Sequence, residues 1–318
     1  MVNYCVSSYG RFGECRSWVL LQGQGRSGPP RRILRPTPLK ILLTNDDGIH
    51  AAGLWAAARV LRQAGELFVV APDREQSGVG ASLTLHAPVR ARQVNVDSNL
   101  SGGAEAGHPV TVYSVEGTPG DSCILALEQL VGQVDLVVSG INAGSNLGWD
   151  VMVSGTVGAA VQGYVRGYPT MAISVGAVEN PQYDAAARVL QLLVQRLVQA
   201  PAAPGDDPGN STPSNFFLNI NVPSTSLASI VGVRITTLGN RSYGETVRAE
   251  GTGHRQRYWI ARNRLIAINP PEGTDLWAMR NSCISITPLQ VTIGHQEHIP
   301  SLEARLEGLA EQLLAPRD

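Results

Sequence analysis

The sequence predicts an α/β fold: a doubly wound, mostly parallel sheet followed by a strand-rich extension with hairpin arms. Three observations point there. Short continuous apolar runs recur between residues 40 and 175, each ended by Gly, Pro, Asp or Asn. Helical stretches alternate with these runs, the pattern of parallel strands buried on both faces. Beyond residue 215 the alternation stops, and strands succeed one another with turn residues between them.

Residues 1–38 contain Arg11, Arg16, Arg26, Arg31, Arg32 and Arg35 among glycines and prolines, with no sustained apolar period. They read as a disordered extension. Gly23-Gln24-Gly25-Arg26-Ser27-Gly28 within them matches a dinucleotide-site pattern, but it follows no strand and leads into Pro29-Pro30, so the match is accidental. The α/β domain is expected over 39–318, with its core at 39–200. KILLT (40–44) is the first strand and LWAAARVLRQAG (54–65) the first helix, with Gly65 as its stop. LFVVA (67–71), 110–115, DLVVS (135–139) and 171–175 read as further strands. Helices are expected over 121–130, 156–167 and 183–200. The breaker-rich stretch 200–214 reads as a linker or surface loop. Strands at 216–222, 231–238, 258–263 and 282–287 form an antiparallel region, and 302–314 a closing helix. Long arms on such a domain commonly serve subunit exchange.

Bulk properties exclude several classes. The chain has 318 residues, 25 basic against 26 acidic, so no net field favours a nucleic-acid duplex or an anionic membrane. No stretch approaches the ~20 apolar residues of a membrane span. The four cysteines, Cys5, Cys15, Cys123 and Cys283, form no CxxC pair, which fits a reducing cytoplasm better than a disulfide scaffold.

The chemistry is expected where apolar strands end, because open α/β sheets bind ligands beyond the carboxyl ends of their strands. Asn45-Asp46-Asp47-Gly48 follows the first run, 72–78 (PDREQSG) the second, and 139–146 (SGINAGSN) a later one. Adjacent carboxylates against an apolar strand repel each other and lose hydration, so either a proton or a cation must neutralise them. Asp46, Asp47, the Ser77 hydroxyl and the Asn142 amide oxygen are hard donors that suit Mg²⁺, Mn²⁺ or Ca²⁺. Without His or Cys in these loops, zinc is disfavoured. The bland reading is that this Asx-rich segment only turns the chain and caps the next helix. Ser154-Gly155-Thr156 opens another helix, whose free N–H groups and hydroxyls make a phosphate seat, or equally an ordinary Ser cap. A phosphate seat beside a carboxylate-held cation is the minimum equipment for metal-assisted phosphoester hydrolysis. No GxxxxGK[ST] loop is present, which argues against an NTPase.

ILLTNDDGIHAAGL, VVAPDREQSGVGASLTL, VEGTPGDS, VVSGINAGSNLG and VSGTVGAA, in this order, with a later SITPL at 285–289, closely resemble the SurE survival-protein family. The resemblance spans about 40–289. It implies a Rossmann-like fold with an exchanged arm, homodimers or homotetramers, and metal-dependent 5′- and 3′-nucleotidase activity on nucleoside monophosphates. It also implies catalytic Asp46 and Asp47, one divalent ion on Asp46, Asp47, Ser77 and Asn142, and a phosphate site lined by Asn45, Asn146, Ser154, Gly155 and Thr156. Of the two aspartates, Asp46 is the expected proton acceptor. Ser145 replaces a frequent proline and Trp149 a small or acidic residue, which points to altered loop shape or base preference; Trp149 could stack on a nucleobase or pack against a partner subunit. Two rival functions remain open. A broad phosphatase or exopolyphosphatase would release phosphate from polyphosphate or p-nitrophenyl phosphate as readily as from nucleotides. A non-catalytic nucleotide-binding module would bind without releasing phosphate.

Overall fold

The computed structural model describes residues 38–95, 107–199, 215–240, 243–251, 256–265, 269–292 and 299–307. The expected extension (all but residue 38), the linker 200–214 and the last turns of the expected closing helix lie outside the described residues.

Strands β1 (Leu39–Thr44), β2 (Gly65–Pro72), β4 (Val110–Val115), β5 (Leu136–Ala143), β6 (Thr170–Val175) and β7 (Phe217–Val222) run parallel to one another in the central sheet. β3 (Ala91–Gln93) adds an antiparallel edge to β4. On the other side, β11 (Cys283–Pro288) pairs antiparallel with β7, and β8 (Gly232–Ile235) closes that edge parallel to β11. Among the described residues the order is β3-β4-β2-β1-β5-β6-β7-β11-β8. This is the mostly parallel α/β sheet expected.

The helices sort by face. On β1, Ile41 and Leu43 pack into the core with α1 (Ala52–Leu61) and α4 (Tyr183–Val194). Leu42 points the other way, into the cluster holding Cys123 of α2 (Pro119–Leu125). Val157 and Ala160 of α3 (Gly155–Val165) pack on Ala172 and Phe217. Ile41, Leu42 and Leu43 are each 0 % exposed, and burial of each contributes roughly 1.5–3 kcal/mol. That anchors the strand delivering the aspartates.

Two features differ from the sequence reading. α1 ends at Leu61 rather than continuing to Gly65, because Gly65 pairs with Leu39 as the first residue of β2. The antiparallel region past residue 215 is also smaller than expected. Among the described residues, β7, β11 and β8 extend the main sheet, and only β9 (Tyr243–Glu250) and β10 (Arg257–Leu265) form a separate hairpin. β7 carries Asn219 and Asn221 at fully buried positions, and these polar residues disguise a core strand. Two short helices, α5 (Asp275–Arg280) and α6 (Ile299–Arg305), follow among the described residues. No helix among the described residues is long and apolar enough to cross a membrane.

The site follows from the strand order. β1 lies between β2 and β5, so the chain winds outward in both directions from it. Crevices form at such switch points. The ends of β1 and β5 carry Asp46, Asp47 and Asn142.

Candidate active site

The turn after β1 is built by Asn45, whose Nδ2 donates to the Gly48 carbonyl at 3.0 Å. Two bonds fasten the strand-two loop to this turn: Ile49 N–H to Pro72 O at 2.8 Å and Gln76 N–H to Asp46 O at 2.7 Å. Ser77 is the next residue along, exposed, with its hydroxyl donating to Glu75 Oε1 at 2.9 Å.

Asp46 is 4 % exposed, and its carboxylate lies against the first turn of α3. The Thr156 hydroxyl and the Thr156 backbone N–H donate to it. A helix N-terminus favours an anion there. Position 155 must be glycine, since a Cβ would sit 2.7 Å from Asp46 Cβ and 2.8 Å from its Oδ2. Asp47 Oδ2 accepts from the Ala143 N–H at 3.1 Å, which ties the β1 turn to the end of β5. Asn142 commits its Nδ2 to the Gly144 carbonyl at 2.6 Å, so a cation would meet only its amide oxygen.

The electrostatics are those of an unneutralised pair. Burial, above all, raises the Asp46 carboxyl above its usual range, against the pull of the Thr156 donors. Burial and the Asp46 charge push Asp47 up to about 7, with Glu75 adding to both. Among the described residues neither aspartate has an ion-pair partner. Nor, among the described residues, do three or more His, Cys, Asp or Glu gather where they could hold a metal ion. The donor set is therefore two carboxylates supplemented by neutral oxygens. Such a set fits a hard divalent ion and does not fit zinc.

The expected phosphate residues divide. Ser154 and Gly155 stand at the helix start, with Ser154 Oγ accepting from Val157 N–H at 3.1 Å and its O–H left to donate. Thr156 is instead engaged with Asp46. Asn45 is wholly buried, and its Oδ1 has no hydrogen-bond partner. Asn146 faces inward: its Nδ2 donates to Ser174 Oγ at 2.9 Å, and its carbonyl accepts from Asn219 and Asn221. Sequence reasoning passed over two neighbours. Glu75, within the 72–78 loop, faces both aspartates and Ser77. Tyr183 of α4 is close enough to Asp47 for that charge, after burial, to raise its phenol. Trp149, in the 3-10 turn Gly148–Met152 that leads into Ser154, is 63 % exposed.

Comparison with known proteins adds the family. Residues 41–245 match the model of the survival protein SurE. A protein of Dehalococcoides mccartyi named 5′-nucleotidase SurE is 41% identical over 273 residues, covering 85% of this chain and 96% of that protein. Its namesake from Coxiella burnetii is 39% identical over the same shares. The crystal structure of the SurE protein from Aquifex aeolicus superposes with a TM-score of 0.68 at 33% identity, covering 84% of this chain and 99% of that one. A family model matching most of the chain, together with relatives near two-fifths identity along nearly their whole length, leaves one assignment: this chain belongs to the SurE family.

Proposed function

We propose that the chain is a 5′-nucleotidase, with 3′-nucleotidase activity beside it, that hydrolyses nucleoside monophosphates to nucleoside and phosphate with the help of one divalent cation. The single observation carrying this is the Asp46–Asp47 pair, Asp46 buried and Asp47 half-buried. It lacks countercharge among the described residues and sits against the start of α3. The names of the relatives give the substrate class.

Asp46, Asp47, Ser77 and Asn142 would hold Mg²⁺ or Mn²⁺. When bound, the ion supplies the charge that lets both aspartates ionise together and polarises a phosphate oxygen. Everything else is the chain's own work. Gly155 N–H and Ser154 O–H donate to the phosphate oxygens over which negative charge spreads in the transition state. Thr156 and Asn45 hold the β1 turn, and Asn146 anchors the loop between β5 and α3. Asp46, fixed by Thr156, takes the proton of the attacking water. Trp149 offers a ring face to the base. A cytoplasmic homodimer or homotetramer joined through the β9–β10 arm is the proposed working form.

A substrate panel tests this. Nucleoside 5′-monophosphates are expected to release phosphate faster than inorganic polyphosphate or p-nitrophenyl phosphate. Equal rates on all three would replace the nucleotidase with a broad phosphatase, and nucleotide binding without release would replace it with a binding module.

A further inference from the structure

Asp275 is 0 % exposed and opens α5, beyond the residues matched by the family model. Its Oδ1 accepts from the backbone N–H groups of Gly239 and Leu276, each at 2.8 Å. Its Oδ2 accepts from the Gly148 N–H at 2.7 Å. One carboxylate thus joins three stretches far apart in sequence. They are α5, the Gly239-Asn240 corner just before the β9–β10 arm, and the turn between Asn142 and Ser154. Gly148 meets that corner a second time. Its φ is +53°, and a Cβ on it would lie 2.1 Å from the Asn240 carbonyl oxygen.

A carboxylate so deeply buried survives only where donors converge on it, and hydrogen bonds to an ionised acceptor are roughly twice as strong as neutral ones. We propose that Asp275 is a positioning residue: it fixes the Gly148 turn, and with it the approach to Ser154-Gly155-Thr156, and locks that turn to the base of the arm. It touches neither the cation donors nor the phosphate donors. Its effect reaches the reaction only through the turn, so the placement of the arm is felt at the site. The kinetic half of this inference rests on the 5′-nucleotidase reading; the structural half does not.

Asp275→Asn is the discriminating variant. Its amide oxygen can still serve Gly239 and Leu276, while its NH₂ then opposes the Gly148 N–H, donor against donor. With a nucleoside 5′-monophosphate and Mg²⁺, kcat is expected to fall about 10–100-fold, the scale of a small misplacement, with KM little changed. Amide hydrogen exchange over 146–153 is expected to quicken while β1 stays protected. Gly148→Ala breaks the same junction from the other side. It should reproduce both effects, and the double variant should lose no more than either single one. Should Asp275→Asn fail to fold, Gly148→Ala decides alone. Unchanged kcat in a folded variant, or multiplicative losses in the double variant, would overturn the proposal. A parent protein that releases no phosphate from any nucleotide defeats the functional reading instead. Exchange then decides the positioning role: quickened at 146–153 it stands, unchanged it falls.

Discussion

The two aspartates at the end of β1 set up a conflict that the folded chain does not resolve with its own described side chains. Burial raises both carboxyls, and the Asp46 charge helps push Asp47 to about 7, whereas an aspartate in the unfolded chain titrates at about 3.9. Between those values the folded state binds more protons than the unfolded state, so stability falls as pH rises. Without a divalent cation, the thermal midpoint is expected to drop between pH 5 and pH 8. Mg²⁺ or Mn²⁺ should restore it at pH 8 and do little at pH 5. Asp47→Asn should flatten the pH dependence and weaken the cation effect, both visible by calorimetry. A midpoint that climbs toward pH 8 without cation would show that the pair is already neutralised. Gly155→Ala probes the same contact sterically. Its methyl would meet the Asp46 carboxylate, and a displacement of that kind is expected to cost about 10²-fold in kcat while the fold remains.

Among elements, α2 shows how local sequence secures the site at a distance. Thr118 caps it, with Thr118 Oγ1 accepting from Asp121 N–H at 3.0 Å and Asp121 Oδ2 accepting from Thr118 N–H at 2.9 Å. The same carboxylate accepts from Thr84 N–H and the Thr84 hydroxyl, which pins the far end of the segment that carries Ser77. Thr118→Ala is expected to lower stability by about 1 kcal/mol, measurable by urea denaturation; no change would mean that the cap is redundant. The capping signal is written in VEGTPGDS, and the core strands were equally legible, because unbroken apolar runs such as ILL announce burial on both faces. Other elements escaped for physical reasons. β9 (YGETVRAE) alternates only over its second half, since Glu245 breaks the apolar side that Tyr243 begins, and α5 is too short to show a helical period. β5 runs on through Gly140 to Ala143 across a register irregularity between Ser139 and Asn142, a departure that no apolar pattern encodes. The candidate site was legible as residue types at strand ends. The inward turn of Asn146 was not, because it depends on Ser174 of β6 and on Asn219 and Asn221 of β7.

At the scale of the molecule, the β9–β10 hairpin exposes Val247, Trp259 and Ile260, the last 80 % exposed. An isolated two-stranded hairpin is marginal in water, and an apolar one invites a partner. Sedimentation is expected to give an assembly of two or four chains, and a monomer at micromolar concentration would remove the arm's proposed role. One experiment reaches the whole scheme most directly: phosphate release from a nucleoside 5′-monophosphate by the parent protein and by Asp46→Asn, after chelation and again after adding back Mg²⁺ or Mn²⁺. Turnover that disappears with the chelator, returns with the ion and is absent from a folded Asp46→Asn protein is the expected result. Undiminished release in the presence of chelator, or from the Asp46→Asn variant, would contradict it.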